Sequence, residues 1–183
     1  RESGNLEVAR SKFAEVVRLQ PRIAEGHEAL GAVLAELGRP FDGAKEFEAA
    51  AKIKPSDQGI ETNLAMAYAQ AGEVAKAVPH FQAAESLSHR AGHAPLDASF
   101  YDAYGRALAG AGRPDEARLQ FVAEESLTGP RAEIEDAIGM LEAQQSRWEE
   151  ARKRFEHALE LDGSNVRARV HLAVVQRTQK DLQ

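Results

Sequence analysis

The stretch Leu64-Ala65-Met66-Ala67-Tyr68-Ala69-Gln70-Ala71-Gly72-Glu73-Val74-Ala75-Lys76-Ala77-Val78-Pro79-His80-Phe81 decides how this chain folds. The Ala-rich segments on either side of Ala71-Gly72-Glu73 read as two helices joined by a glycine turn. Alanine loses no side-chain entropy in a helix, and glycine takes the left-handed backbone that ends one. The landmarks of this stretch recur. Phe13, Phe47 and Phe81 are spaced by 34 residues, Phe121 follows after 40 and Phe155 after another 34. Four residues before each Phe stands a small residue: Ala9, Gly43, Ala77, Ala117 and Ala151. A second small column runs Gly31, Ala65, Gly105, Gly139 and Ala173, each preceded by a large apolar residue (Leu30, Leu64, Tyr104, Ile138, Leu172). Leu34, Tyr68 and Leu108 follow that column by three. Several columns sharing one period mark a repeat protein whose unit is helix, turn, helix.

The register predicts second-type helices, those carrying the Phe column, near 5–19, 40–53, 74–87, 114–127 and 148–161. First-type helices are expected near 24–37, 58–71, 97–111, 131–145 and 165–179. Ser56-Asp57 suits a helix cap, Pro40 and Pro114 suit first helical positions, and Gly38, Gly72 and Gly112 suit the residue after a helix end. The chain divides accordingly into a half repeat 1–21, repeats 24–57, 58–91, 98–131 and 132–165, and a half repeat 166–183. The six extra residues fall within 88–97, where a longer turn between repeats disturbs no helix crossing. Phe41 and Phe100 stand outside the Phe column and are expected to carry less of the core than Phe81. Leu6, Val8, Phe13, Val16, Val17 and Leu19 give the first helix an apolar face with no polar cap, so the chain reads as a segment of a longer array.

A period of 34 residues, small residues at the helix crossing, an aromatic in the second helix, and Pro21 and Pro55 closing units resemble the tetratricopeptide repeat (TPR) family. The resemblance covers essentially the whole chain. Departures are visible in the family's Trp-like column, which holds His27, Glu61, Tyr101, Glu135 and Arg169, and in His89, Gly129 and Gly163, which replace the closing Pro. What the resemblance implies is an all-α, right-handed superhelical solenoid of antiparallel helix pairs whose concave face is lined mainly by first helices. The Lys and Asn carboxylate clamp of the TPR domains that grip chaperone tails is missing. Its columns hold Glu28 and Ala32, Thr62 and Met66, Asp102 and Arg106, and Asp136 and Met140.

Composition narrows the function. The chain is 43% hydrophobic and 28% charged, which suits a folded protein, and no apolar run approaches the roughly 18 residues of a membrane span. A net charge of −6 argues against the phosphate-neutralising surface that nucleic-acid binding needs. With no cysteine, disulfides and thiolate metal sites are excluded. The chain begins at Arg1 rather than Met, which leaves room for sequence upstream, and its compartment stays open.

Motifs with chemistry are scarce. His89, His93 and Asp97 share the i, i+4, i+8 spacing of metal ligands on a helix, but Gly92 and Pro95 interrupt any helix there, and an exposed polar loop is the reading kept. No nucleophile elbow, zinc-protease pair, phosphate loop or calcium loop occurs. Trp148 shares a column with Leu6, Pro40, Val74 and Pro114 and reads as a packed turn residue. No catalytic residue, metal or cofactor is expected.

Function then has to lie in a surface. On the first helices the stripe opposite the crossing columns supplies Met66, Asp102, Arg106, Asp136, Met140, Val174 and Arg177, with Asn63 and His171 beside it. Its early turns are acidic, as helix N-termini favour in any case, and its later turns are small and apolar, with the chain's two methionines as adaptable contacts. These nine residues are the groove candidates for a protein or peptide ligand with basic and apolar groups. The leading reading is a non-catalytic protein-interaction scaffold holding a peptide or partner helix. The alternatives are a recruitment segment of a larger enzyme or signalling protein and a self-associating structural array, in which the last helix of one copy docks head to tail on Leu6, Phe13 and Val17 of the next.

Overall fold

The computed structural model describes residues 2–90, 92 and 94–181, apart from the side chains of Glu2 and Ser3. His93 lies outside the described residues, and with it the His89, His93 and Asp97 set. Among the described residues the chain is all helix: α1 (Glu2–Leu19), α2 (Ala24–Glu36), α3 (Pro40–Ile53), α4 (Gln58–Gln70), α5 (Val74–Ser88), α6 (Ala98–Gly110), α7 (Pro114–Thr128), α8 (Ala132–Gln144), α9 (Trp148–Leu161) and α10 (Val166–Asp181). The expected second-type starts at 40, 74, 114 and 148 are the observed ones, whereas α1 begins at Glu2, ahead of the start expected near 5. Residues 1–96 and 97–183 form two compact units, each built of consecutive antiparallel helices.

Local chemistry explains the boundaries. Pro40 and Pro114 open α3 and α7, where their missing N–H would have no helical partner. The Asp57 carboxylate accepts from the N–H groups of Gly59 and Ile60, Asp97 accepts from that of Phe100, and the Asn165 side chain accepts from that of Ala168. First-type helices end in one turn, repeated. Gly38, Gly72 and Gly112 lie at φ of 75°, 77° and 73°, and the next N–H donates back to Leu34, Tyr68 and Leu108. In α8 the same place is taken by Ser146, at φ 59°. Past Ser88 the described part of the insertion is turn, bend and irregular chain.

The Phe column forms the crossing of each helix pair. Phe47, Phe81, Phe121 and Phe155 are all buried, whereas Phe13 on α1 is only half-buried. The ring lies against backbone: a Cβ on Gly139 would sit 2.6 Å from Phe155 Cε1, and one on Gly105 would sit 2.7 Å from Phe121 Cε1. Phe41 is 41% exposed, as expected. Phe100 corrects the expectation. It is fully buried, because it stands one helical turn before Tyr104 in a column with Gly26, Ile60, Ile134 and Ala168, all buried at the start of first-type helices.

Three of the departures from the Trp-like column, His27, Glu61 and Glu135, resolve into polar pairs between the two helices of a repeat. His27 Nδ1 lies 2.7 Å from Glu46, and the same pair is reversed in the next repeat, where Glu61 lies 2.7 Å from His80 Nδ1. In the fourth repeat, Glu135 accepts from Arg154 at 2.9 Å and lies 2.6 Å from His157 Nδ1. Each pair satisfies side chains that the helix crossing would otherwise bury unmatched.

Candidate functional site

In the first unit, Asn63 is exposed and Met66 half-buried on α4. The acidic turn of α2 is partly spent within the fold. Lys54 donates to Glu25 at 2.5 Å and holds that carboxyl below its ordinary range, while burial, with Asp57 adding repulsion, pushes Glu28 up.

The second unit brings more of the candidates together. On α6, Arg106 Nε donates to Asp102 at 2.8 and 2.9 Å, an exposed i, i+4 pair that largely neutralises itself. On α8, Asp136 is 3% exposed, and its carboxylate reaches His171 Nδ1 on α10 at 2.7 Å and Arg167 Nε at 3.7 Å. That places Asp136 as an anchor for α10 rather than a group facing solvent. The His171 ring tilts against Phe155 at 5.3 Å, which ties the anchor to the α8/α9 crossing.

Beside this pair opens a cavity of about 150 Å³ lined by Met140, Ala143, Trp148, Phe155, His171, Val174 and Val175. Its wall is nearly all apolar, and Val174, at its rim, is 56% exposed. The cavity falls below the roughly 300 Å³ of small-molecule sites, so its size suits a single side chain. Asp136, Met140, His171 and Val174 therefore share one place in this unit. Arg177 is exposed on the last turns of α10.

Sequence reasoning named Met140, His171 and Val174 but gave Trp148 only a packing role. Trp148 does pack, against the cluster of Ala151, Phe155 and Val175, and it also walls the cavity. Sequence reasoning also passed over two buried acidic residues of this unit, Glu124 and Glu142, and read Glu135 only as a departure from the Trp-like column. The signal for Glu124 was available, since its column otherwise reads Val16, Ala50, Ala84 and Ala158. No group of three His, Asp or Glu arranged to hold a metal ion occurs among the described residues, and no described helix is long and apolar enough to cross a membrane.

The tetratricopeptide repeat model matches residues 1–58, 62–126 and 137–183. No curated protein matches the chain. Solved structures do. YrrB, described as a TPR protein with an unusual peptide-binding site, is 15% identical, with a TM-score of 0.74 over 92% of this chain and 84% of its own. MamA of MSR-1 is 24% identical, with a TM-score of 0.77 over 88% of this chain and 90% of its own. MamA from Desulfovibrio magneticus RS-1 is 19% identical, with a TM-score of 0.74 over 89% of each chain. At these identities the likeness establishes the fold. With the family model spanning nearly every repeat, the chain belongs to the tetratricopeptide repeat family.

Proposed function

We propose that this protein is a non-catalytic scaffold that holds an extended peptide or a partner helix against its first-type helices. The observation that carries the reading is the apolar cavity of the second unit, open at Val174 and floored by Met140, Trp148 and Phe155. One aliphatic side chain of a ligand is the occupant its lining suits. Basic residues flanking that anchor are favoured by the chain's net charge of −6 and by the exposed Glu133 on α8. Asp102 and Asp136 contribute less, because Arg106 and His171 already engage them. The YrrB description shows that a TPR protein of this size binds peptide, which supports the class of ligand and leaves its sequence open. Arg106 and Arg177 belong to the same unit as the cavity and are candidate contacts there, whereas Asn63 and Met66 are candidates on the first unit by itself. The repeat division read from the sequence, with half repeats at 1–21 and 166–183, is proposed with it.

The test is selection from a random peptide display library on the 183-residue chain, followed by titration of the enriched peptide. An aliphatic residue beside Lys or Arg is the expected consensus. Val174→Lys changes an exposed position and should leave the melting temperature unchanged while weakening capture about tenfold, since a few anchors dominate such interfaces. Equal affinity for the variant would remove the cavity from the account.

A further inference from the structure

A second cavity, of about 250 Å³, opens in the first unit among α1, α2 and α3. Leu30 and Leu34 of α2 and Ala14 of α1 give it an apolar floor, and Arg10, Arg39 and Lys45 stand around it. Two carboxylates also line it, and both are engaged. Asp42 accepts from Arg39 at 2.8 and 3.0 Å and from Lys45 at 3.3 Å, and Glu46 lies 2.7 Å from His27 Nδ1. The arginines keep donors to spare. Arg10 donates to Glu7 through Nε alone, and among the described residues its two terminal nitrogens and Nη1 of Arg39 have no hydrogen-bond acceptor.

The fourth repeat shows what such a place holds. The register carries Arg10, Ala14, Leu30, Leu34 and Arg39 onto Arg118, Val122, Ile138, Glu142 and Arg147. Only Leu34 changes character, standing where the fourth repeat has an acid. There the carboxylate of Glu142, 7% exposed, accepts from Arg147 Nε and lies 3.8 Å from Arg118 Nε. Two arginines from successive second-type helices thus close on one buried carboxylate, which the fixed fork of a guanidinium suits. The second repeat holds Ala44 and Glu73 in the arginine columns and fills the space with the buried Tyr68. Open space and cations coincide in the first repeat.

We propose that this cavity binds a carboxylate on a short aliphatic stem, a glutamate side chain of a partner protein, in the place that Glu142 takes in the fourth repeat. Its carboxylate meets Arg10 and Arg39, and its methylenes lie on Leu30 and Leu34. The site lies within the first unit, shares no residue with the apolar cavity of the second, and uses none of the clamp columns. In the fourth repeat α6 packs on α7 and Arg118 still reaches Glu142, so the site does not depend on what packs against the far side of α1.

The probe is N-acetyl-glutamate N-methylamide, titrated into the 183-residue chain while the arginine Nε–H signals are followed by NMR. Those of Arg10 and Arg39 should shift saturably, whereas those of Arg118 and Arg147, which already hold Glu142, should stay. The glutamine analogue, neutral and of the same shape, should leave all four in place. Acetate, the same charge without the stem, should bind about fourfold more weakly, the contribution of one buried methylene. Arg10→Gln removes a half-buried cation and should weaken the glutamate probe about two- to fivefold, the range of an exposed ion pair. Leu34→Glu rebuilds the arrangement of the fourth repeat and should abolish binding by filling the site from within; Arg10→Gln carries the test if that variant fails to fold. No saturable shift at Arg10 and Arg39, equal shifts with the glutamine analogue or acetate, equal shifts at Arg118 and Arg147, or a response indifferent to Arg10→Gln would each overturn the proposal. Val174→Lys should bind the probe as the parent does, which keeps this outcome separate from the fate of the peptide-binding reading.

Discussion

Phe81 and Phe41 are one residue type with different consequences. Phe81 has no exposed surface and Phe41 keeps 41% of its own, so Phe81→Ala should cost about 3 to 5 kcal/mol and Phe41→Ala under about 1. Phe100, equally buried, should behave like Phe81 despite standing outside the column; urea denaturation of the three variants reads this directly. Glu124 makes a different prediction. It is 1% exposed in a column otherwise of alanine and valine; one oxygen accepts from Arg131 at 3.1 Å, and Oε2 is buried without a hydrogen bond. Burial, and then repulsion from Asp102, pushes its carboxyl above the usual range. The folded state therefore holds this proton at pH values where the unfolded chain has lost it, so stability falls as pH rises through that window. Glu124→Gln, a neutral copy of the protonated form, should be the more stable protein at pH 7. Its advantage should shrink as pH drops toward the ordinary carboxylate range, and a constant difference across pH 3 to 7 would contradict the assignment.

Helix ends were the most legible elements, because their causes are local. Proline at a first turn, Asp57 at a cap and glycine after Leu37 each act within a few residues of where they stand. Ser146 shows what that logic costs when the residue is wrong. It holds φ 59° where Gly38, Gly72 and Gly112 sit, and a Cβ in the left-handed region costs roughly 1 to 2 kcal/mol. Ser146→Gly should raise stability by about 1 kcal/mol in thermal melts, and Gly112→Ala should lower it by a similar amount. Contacts between helices were less legible. His27 with Glu46 and Glu61 with His80 are one pair written in opposite order, which only the facing of two helices reveals. The cavity lay further out of reach. Met140 and Val174 could be placed on a stripe by spacing, but the space among them depends on how Trp148, Phe155 and His171 fill three helices at once. Asp136 looked solvent-facing on its own helix, and His171, thirty-five positions on, is what covers it.

At the scale of the molecule, repetition supplies stability and its interruptions supply function. Phe, Ala and Gly columns recur and are buried; binding is assigned to the cavity that opens beside them, walled by Met140 and Trp148. The central claim is that ligand capture belongs to the cavity side of the second unit. A photo-crosslinking residue placed at Val174 tests it against the same residue at Leu119, which is just as exposed, at 57%, but lines no part of the cavity. With the peptide enriched from the display library, crosslinks should form from position 174 and not from 119. Crosslinking from 119 alone, or equally from both, would contradict the account.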